Sequence, residues 1–137
     1  MAETVRTDDA ENIRGLIAEY GRLLDLKDTA GLAALFAPGG EWVGGTRYGV
    51  IAGREALARF LEREFGASPP SVHLVGSTAV KVEPVGATAW SRWMLLEEAG
   101  GAIRISLAGS YDDRLSRTSE GWRFQRREVR VDLPQGV

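Results

Sequence analysis

The chain has 137 residues, of which 44% are hydrophobic, and its formal net charge at pH 7 is −2. This length and apolar content are enough for one core and too little for two, so residues 1–137 are expected to form a single domain. Acidic and basic residues are interspersed, cysteine is absent, and no segment reaches the roughly 18 apolar residues of a membrane span. These features argue against nucleic acid, membranes and disulfides, and they predict a cytoplasmic protein that binds a small neutral or weakly charged molecule.

The N-terminal part of the chain has the pattern of helices. Asp8, with Glu11 three residues later, is an arrangement that satisfies N–H groups at a helix start, and it predicts a helix from about Asp8 to Lys27. Asp28 can cap a second helix over Thr29–Phe36. Apolar residues in the first helix recur at spacings of three and four, so one face is expected to be buried: Ile13, Leu16, Ile17, Tyr20, Leu23 and Leu24.

The C-terminal half has the pattern of long strands. A short hairpin, Glu41–Val43 with Tyr48–Ile51, and a third helix over Arg54–Phe65 are predicted before it. Four long segments separated by glycine-containing turns then predict an antiparallel meander: Ser71–Val85, Thr88–Glu98, Ala102–Thr118 and Trp122–Leu133. Helices at one end of the chain and strands at the other indicate an α+β fold, with the helices covering one concave face of a sheet.

His73 is the only histidine, and histidine is the side chain whose unperturbed pKa lies nearest to neutrality. It lies in Val72–Val75, which reads as buried strand, where an unpartnered polar group costs about 1–3 kcal/mol. Asp25, at the end of the apolar repeat of the first helix, is the best candidate partner. A carboxylate that holds one imidazole nitrogen leaves the other free to accept a proton, so this pair predicts a base and its orienter, about 2.6–3.2 Å apart.

Each candidate also has a structural interpretation. A strand histidine bonded to an aspartate also occurs as a core pair. Tyr20 lies on the apolar stripe and fits the core as well as a pocket, and Arg127 fits a cavity wall as well as a surface salt bridge. Asp112 and Asp113 point to opposite faces of one strand, so a solvated or arginine-paired role is expected for both.

The order of elements and several short segments resemble the SnoaL-like branch of the nuclear transport factor 2-like superfamily, which includes scytalone dehydratase and hexachlorocyclohexane dehydrochlorinase. The resemblance covers nearly the whole chain and implies a cone-shaped sheet whose open mouth is a ligand pocket. The segments that carry it are Leu23–Asp28, Leu32–Ala37, Gly53–Leu57, His73–Gly76 and Gly109–Asp113.

The resemblance also implies site residues. Asp25 and His73 stand at the positions of the aspartate and the general base of the two enzymes, and Arg127 resembles a pocket arginine of the dehydrochlorinase. Tyr20 stands where the dehydrochlorinase has a pocket lysine, and the second histidine of scytalone dehydratase has no counterpart near Gly109. Arg127 or Tyr20 is therefore expected to stabilise a leaving group or a developing oxyanion.

Alternation along the strands predicts which side chains line the pocket. Apolar residues that share faces are the leading candidates, although a β-bulge would reverse the phase beyond it: Trp42, Trp93, Leu95, Ile105 and Leu107. Trp90 and Met94 lie on the opposite face of their strand. If that face were exposed in a monomer, these side chains would form a hydrophobic surface patch. A homodimer or homotrimer is therefore expected.

The sequence contains neither a metal-binding cluster nor a glycine-rich phosphate loop after a strand, so no cofactor and no metal are expected. Together with the resemblance, this predicts a cofactor-independent dehydratase-like lyase or an isomerase acting on a small apolar, cyclic or polyketide-like compound. Two alternatives stay open: a ligand-binding or assembly module without catalysis, and a polyketide cyclase or ketosteroid-isomerase-like enzyme in which Asp25 is the base.

Overall fold

The chain begins with helices and ends with long strands. A computed structural model describes residues 8–136. The helices are α1 (Asp9–Leu26), α2 (Thr29–Ala34), α3 (Gly45–Tyr48) and α4 (Arg54–Ala67). The strands are β1 (Phe36–Val43), β2 (Val50–Ala52), β3 (Ser71–Val82), β4 (Ala87–Ala99), β5 (Ala102–Thr118) and β6 (Gly121–Leu133).

The strands form one six-stranded curved sheet in the order β2-β1-β6-β5-β4-β3. All neighbouring pairs are antiparallel except β1 and β6, which are parallel. The predicted α+β fold and the meander from β3 to β6 are confirmed. The parallel pair adds the hairpin of β1 and β2 to the far side of β6, which extends the sheet beyond the meander.

Two predicted elements near the middle of the chain are wrong in detail. The second helix ends at Ala34, because Phe36 already pairs with Phe124 of β6 and the following proline and glycines do not continue a helix. Tyr48 lies in α3 rather than in a strand. Gly45 and Gly49 have φ values of +66° at the two ends of this single turn, a conformation that glycine adopts without steric cost.

The predicted cap of the first helix is also wrong, whereas that of the second is confirmed. Asp8 makes no side-chain cap hydrogen bond. The next residue, Asp9, is buried instead and accepts a hydrogen bond from Nε1 of Trp122 at 3.2 Å as well as one from Arg117. Asp28 accepts from the backbone N–H of Gly31 at 2.9 Å.

The core lies between the helices and one face of the sheet. The predicted apolar stripe of α1 is buried except for Leu24, which is partly buried. Burying each large apolar side chain stabilises the fold by about 1.5–3 kcal/mol. Its fully buried members come from both layers: Ile13, Ile17, Leu32, Phe36, Leu57, Leu115 and Phe124.

A β-bulge decides which side chains of β5 face this core. Leu95 pairs with Leu107, but Leu96 pairs with Ile105, so Ser106 is the extra residue. The phase of alternation reverses there. Ile105 is therefore on the outer face and 63% exposed, and its predicted place in the pocket lining is wrong.

Gly109 on β5 has no room for a side chain. A Cβ atom at this position would collide with the backbone oxygen of Arg130 and with the indole of Trp93. We expect Gly109→Ala to lower the free energy of unfolding by about 1–3 kcal/mol, because neighbouring backbone and a packed ring must shift. The matched control is Gly76→Ala on β3, where a Cβ meets nothing within 4 Å. Chemical denaturation of the two variants measures the difference, and equal stability would contradict the crowding.

Candidate active site

The end of α1 meets the beginning of β3 through one carboxylate. Oδ1 of Asp25 lies 2.9 Å from Nδ1 of His73 and accepts a hydrogen bond from the backbone N–H of His73, also at 2.9 Å. The hydrogen bond predicted between these residues is therefore confirmed. The side chains are 17% exposed for His73 and 26% for Asp25, so the pair is neither sealed in the core nor on the open surface.

This contact determines the role of each imidazole nitrogen. An ionised carboxylate can only accept hydrogen bonds, so Nδ1 of His73 carries a proton, and in the neutral imidazole Nε2 is then the acceptor. Nε2 has no hydrogen-bond partner within residues 8–136. Since His73 also lines a cavity, the ring combines an oriented side toward Asp25 with a nitrogen available to a ligand.

The cavity has a volume of about 210 Å³ and lies between the helices and the inner face of the sheet. This is below the usual range of about 300–1,000 Å³ for ligand pockets, which favours a small ligand. Aromatic and aliphatic side chains dominate the lining, and Glu64 and Glu97 are its acidic members. Neither Lys nor Arg occurs among the described residues that line it.

Four side chains predicted for the pocket lie in its wall: Tyr20, Trp42, Trp93 and Leu95. The hydroxyl oxygen of Tyr20 accepts a hydrogen bond from Nε1 of Trp42 at 3.2 Å. Leu107 packs against the core beside Leu95 but is outside the lining, so its predicted place there is wrong. Contact of the four wall residues with a substrate stays a prediction.

Arg127 was predicted to line the pocket, but it lies in the core instead. Its Nε and Nη2 donate to the two carboxylate oxygens of Asp113 at 2.9 and 3.1 Å, and both side chains are fully buried. The guanidinium carbon lies 4.2, 3.7 and 4.4 Å from the ring centroids of Tyr20, Tyr111 and Phe124. The arginine is thus held behind the cavity wall by an ion pair and by three rings, at a distance typical of cation–π contacts.

Asp112 and Asp113 on β5 were expected to be solvated or paired with arginine, and both are paired with arginine. Asp113 pairs with Arg127 on the inner side and Asp112 with Arg130 on the outer side, the latter at 2.6 Å. Asp113 and Arg127 are directly opposite in the register of β5 and β6. Burial raises the pKa of Asp113, and the facing guanidinium opposes that rise.

Six polar side chains of the cavity wall were not predicted from the sequence: Tyr48, Glu64, Ser68, Ser71, Glu97 and Tyr111. The hydroxyl of Tyr48 donates to Oε2 of Glu64 at 3.0 Å. The ring of Tyr111 stacks on Trp93 with centroids 5.8 Å apart. Alternation from Leu107 through Gly109 could have identified Tyr111 as an inward residue, whereas the helical position of Tyr48 left no such signal.

The tyrosines of the cavity wall keep their protons. Burial raises the pKa of Tyr20 and of Tyr111, and the nearby Arg127 guanidinium only partly opposes this. For Tyr48 burial is again the main cause of a raised pKa, followed by its hydrogen bond to Glu64. All three hydroxyls are therefore neutral hydrogen-bonding groups near neutral pH.

Comparison with known proteins identifies the family. The family model of the SnoaL-like domain matches residues 5–128. The chain belongs to the SnoaL-like domain family. The fold described above, a cone of one curved sheet with helices on its inner side, is that of the nuclear transport factor 2-like superfamily.

Relatives of this SnoaL-like protein share most of its length. The uncharacterized protein Rv2910c of Mycobacterium tuberculosis is 29% identical over 132 residues, which are 93% of this chain and 88% of the relative. An NTF2-like protein with a cystatin-like fold from Novosphingobium aromaticivorans is 29% identical, with coverage of 94% and 85% and a TM-score of 0.84. A candidate scytalone dehydratase from the same organism is 25% identical, with coverage of 89% and 83% and a TM-score of 0.75.

Two further features are absent from the part of the chain that the structure describes. Over residues 8–136, no helix is long and apolar enough to cross a membrane. The same part of the chain has no group of three or more histidine, cysteine or acidic side chains that could hold a metal ion.

The ion pair of Arg127 and Asp113 gives a test of the packing behind the cavity. We expect Arg127→Met and Asp113→Leu each to cost about 3–5 kcal/mol of folding free energy, because either leaves a buried charge unpaired. The double variant is expected to recover most of this loss. Thermal unfolding measures all three, and Arg59→Met, in a surface pair with Glu55, should leave the melting temperature nearly unchanged. A double variant as unstable as the sum of the singles would contradict this account.

Proposed function

We propose that this SnoaL-like protein, as one domain over residues 1–137, is a cofactor-independent lyase or isomerase that removes a proton from a small apolar, cyclic or polyketide-like substrate. The observation that carries the proposal is the orientation of His73. Asp25 holds Nδ1, while the ring lines a largely apolar cavity and Nε2 has no hydrogen-bond partner within residues 8–136. The likeness to a candidate scytalone dehydratase favours dehydration among the possible reactions.

In this mechanism His73 is the general base and Asp25 its orienter. Nε2 accepts the proton from substrate carbon or oxygen, and the imidazolium that forms is stabilised by the adjacent carboxylate. For a dehydration, the proton leaves with the departing hydroxyl as water, whereas in an isomerisation it returns to another carbon. Both routes restore neutral His73 without another reactant.

The geometry supports His73 rather than Asp25 as the base. Oδ1 of Asp25 already accepts two hydrogen bonds from His73, and Asp25 is outside the described cavity lining. A ketosteroid-isomerase-like role would require that carboxylate to face the ligand. The alternative of a binding module without catalysis assigns the same hydrogen bond a structural role, and the experiment below separates the two.

The charge of the cavity wall supports a neutral substrate. Glu64 and Glu97 lie in the lining, and the nearest buried cation, Arg127, is already paired with Asp113 behind the wall. A carboxylate or phosphate entering the cavity would lose its hydration without gaining a cationic partner, which is costly at low dielectric. Neutral apolar compounds avoid this penalty.

Proton abstraction can be tested without the natural substrate. The bicyclic ketone 2-tetralone in D₂O exchanges its α-protons, and NMR follows their loss. We expect the wild type to accelerate exchange and His73→Gln to lower that rate by about 10²–10⁴-fold, because glutamine can hold Asp25 but is no base. Asp25→Asn is expected to lower the exchange rate nearly as much, since asparagine can stabilise neither the tautomer nor the imidazolium as aspartate does.

Asp112→Asn is the matched control, because it removes a carboxylate that pairs with Arg130 on the outer face. It should exchange 2-tetralone like the wild type. Circular dichroism and melting temperature establish that each variant is folded. Variants at His73 and Asp25 that keep the exchange rate and lose mainly melting temperature would favour the binding module over the enzyme.

We also propose that the protein is a homodimer or homotrimer assembled through the outer face of the sheet. Two cross-strand rows of apolar residues lie on this face, one over β3 to β5 and the other over β3 to β6. They form the outer apolar patch: Val72, Leu74, Met94, Leu96, Ile105, Ala108 and Leu133. Four of these side chains, Val72, Leu74, Ile105 and Leu133, are exposed to solvent, and a second copy of the chain would remove them from water.

The assembly is measured by light scattering after size-exclusion chromatography. We expect the wild type to have two or three times the monomer mass, and the double variant Ile105→Glu with Leu133→Glu to have the monomer mass, because charges would be buried in the contact. Val85→Glu is the control, since Val85 is exposed in a turn outside the patch. A monomeric wild type at micromolar concentration would contradict the proposal.

A further inference from the structure

We propose that Tyr111 is a further catalytic residue of this site, donating a hydrogen bond from its hydroxyl to a substrate oxygen that gains negative charge as His73 takes the proton. The inference rests on the proposed function for the identity of the base. It assigns a role that the sequence analysis had given to Arg127 or Tyr20.

The position of Tyr111 places it in the same small cavity as His73. Tyr111 lies on the inner face of β5 and stacks on Trp93 of β4, with the ring planes 26° apart. Trp93 in turn lies beside His73, with ring centroids 6.4 Å apart. All three residues line the cavity of about 210 Å³. A ligand of one or two rings would therefore face the base and the hydroxyl together.

The hydroxyl of Tyr111 differs from those of the other two tyrosines. The hydroxyl of Tyr48 donates to Glu64, and that of Tyr20 accepts from Trp42. The hydroxyl of Tyr111 makes no hydrogen bond to any protein group in residues 8–136. Its oxygen is nevertheless not sealed off from solvent. An otherwise buried side chain thus presents an unused donor to the cavity, which a ligand oxygen would satisfy.

The surroundings of Tyr111 hold this donor neutral and in place. Burial raises its pKa, so the hydroxyl keeps its proton near neutral pH. The guanidinium of Arg127 lies 3.7 Å from the centre of the ring, and Asp113 fixes that guanidinium. In contact with both Arg127 and Trp93, the ring has little freedom to turn. Donors fixed before reaction are the ones that stabilise developing charge effectively.

The proton transfer involves only the substrate, His73 and Tyr111. The substrate C–H bond breaks, and an N–H bond forms at Nε2 of His73. The electron pair moves into the conjugated system and places negative charge on an oxygen of that system. The O–H of Tyr111 remains intact and donates a hydrogen bond to this oxygen. The negative charge is then removed when His73 returns the proton to the substrate, or when a leaving group departs with the electron pair and takes that proton.

The probe for this inference is 4-nitrophenol, whose anion absorbs visible light and carries charge on oxygens at both ends of the ring. At about pH 6 we expect the wild type to bind it with an anion band, because His73 takes the phenolic proton and Tyr111 donates to a charged oxygen. Tyr111→Phe should weaken binding of the anion about 10–100-fold, the usual effect of losing a hydrogen bond to a charged group. Nitrobenzene, which has no such proton, should bind equally to both.

Ser116→Ala is the control, since it removes a hydroxyl from the same strand outside the cavity. It should bind 4-nitrophenol like the wild type. If His73→Gln abolishes the anion band but Tyr111→Phe leaves band and affinity unchanged, the role of Tyr111 is overturned and the base stands. If His73→Gln binds the anion like the wild type, the base is overturned, and Tyr111 is judged by the affinity of Tyr111→Phe alone.

A measurement on the wild-type sequence covers the case in which Tyr111→Phe does not fold. Protein labelled with 3-fluorotyrosine gives three ¹⁹F resonances, one for each tyrosine, assigned with Tyr20→Phe and Tyr48→Phe. We expect the Tyr111 resonance to move more with 4-nitrophenol than with nitrobenzene. Equal movement with the two probes would mean that the hydroxyl meets no charged oxygen, which refutes the inference.

Discussion

The structure depends on the hydrogen bonds that one oxygen of Asp25 accepts from His73. β3 is an edge strand of the sheet, and an edge strand presents backbone N–H groups without strand partners. The carboxylate of Asp25 accepts one of these N–H groups and the Nδ1 proton of the same residue. The end of α1 is thereby fixed to the sheet edge, and the imidazole is oriented by the same contact. The same carboxylate oxygen therefore positions the helix and orients the base.

Asp113, which is buried, and Asp25, which is partly buried, have different tasks because their partners differ. Asp113 faces Arg127, whose charge is permanent, and the pair is enclosed by aromatic rings. Asp25 faces a group whose charge changes with its proton. The first arrangement cannot respond to a ligand, and it gives rigidity to the rings of the cavity wall. The second responds to proton transfer, so chemistry is expected at Asp25 and His73 rather than at the stronger ion pair.

Much of this could be predicted from the sequence, and the failures have physical causes. The spacing of apolar residues in α1 identified its buried face and placed Asp25 beside the sheet. Local patterns could not predict the bulge at Ser106, because one extra residue reverses a face without changing composition, so Ile105 was misplaced. Arg127 was placed in the pocket wall because the pattern of its own strand does not show that Asp113, its partner across the register, holds it in the core.

The register of the sheet also explains how the proposed groups come to share one cavity. His73 pairs with Leu95, and Trp93 lies two residues before it on β4. Trp93 pairs with Gly109, and Tyr111 lies two residues after it on β5, so each step moves in the same direction along the sheet. Diagonal neighbours of this kind are within reach of aromatic side chains. Gly109 is essential to the row because its missing side chain leaves the space that the indole of Trp93 occupies. The base, the intervening ring and the hydroxyl are therefore spaced by backbone pairing, which a ligand does not have to rearrange on entering.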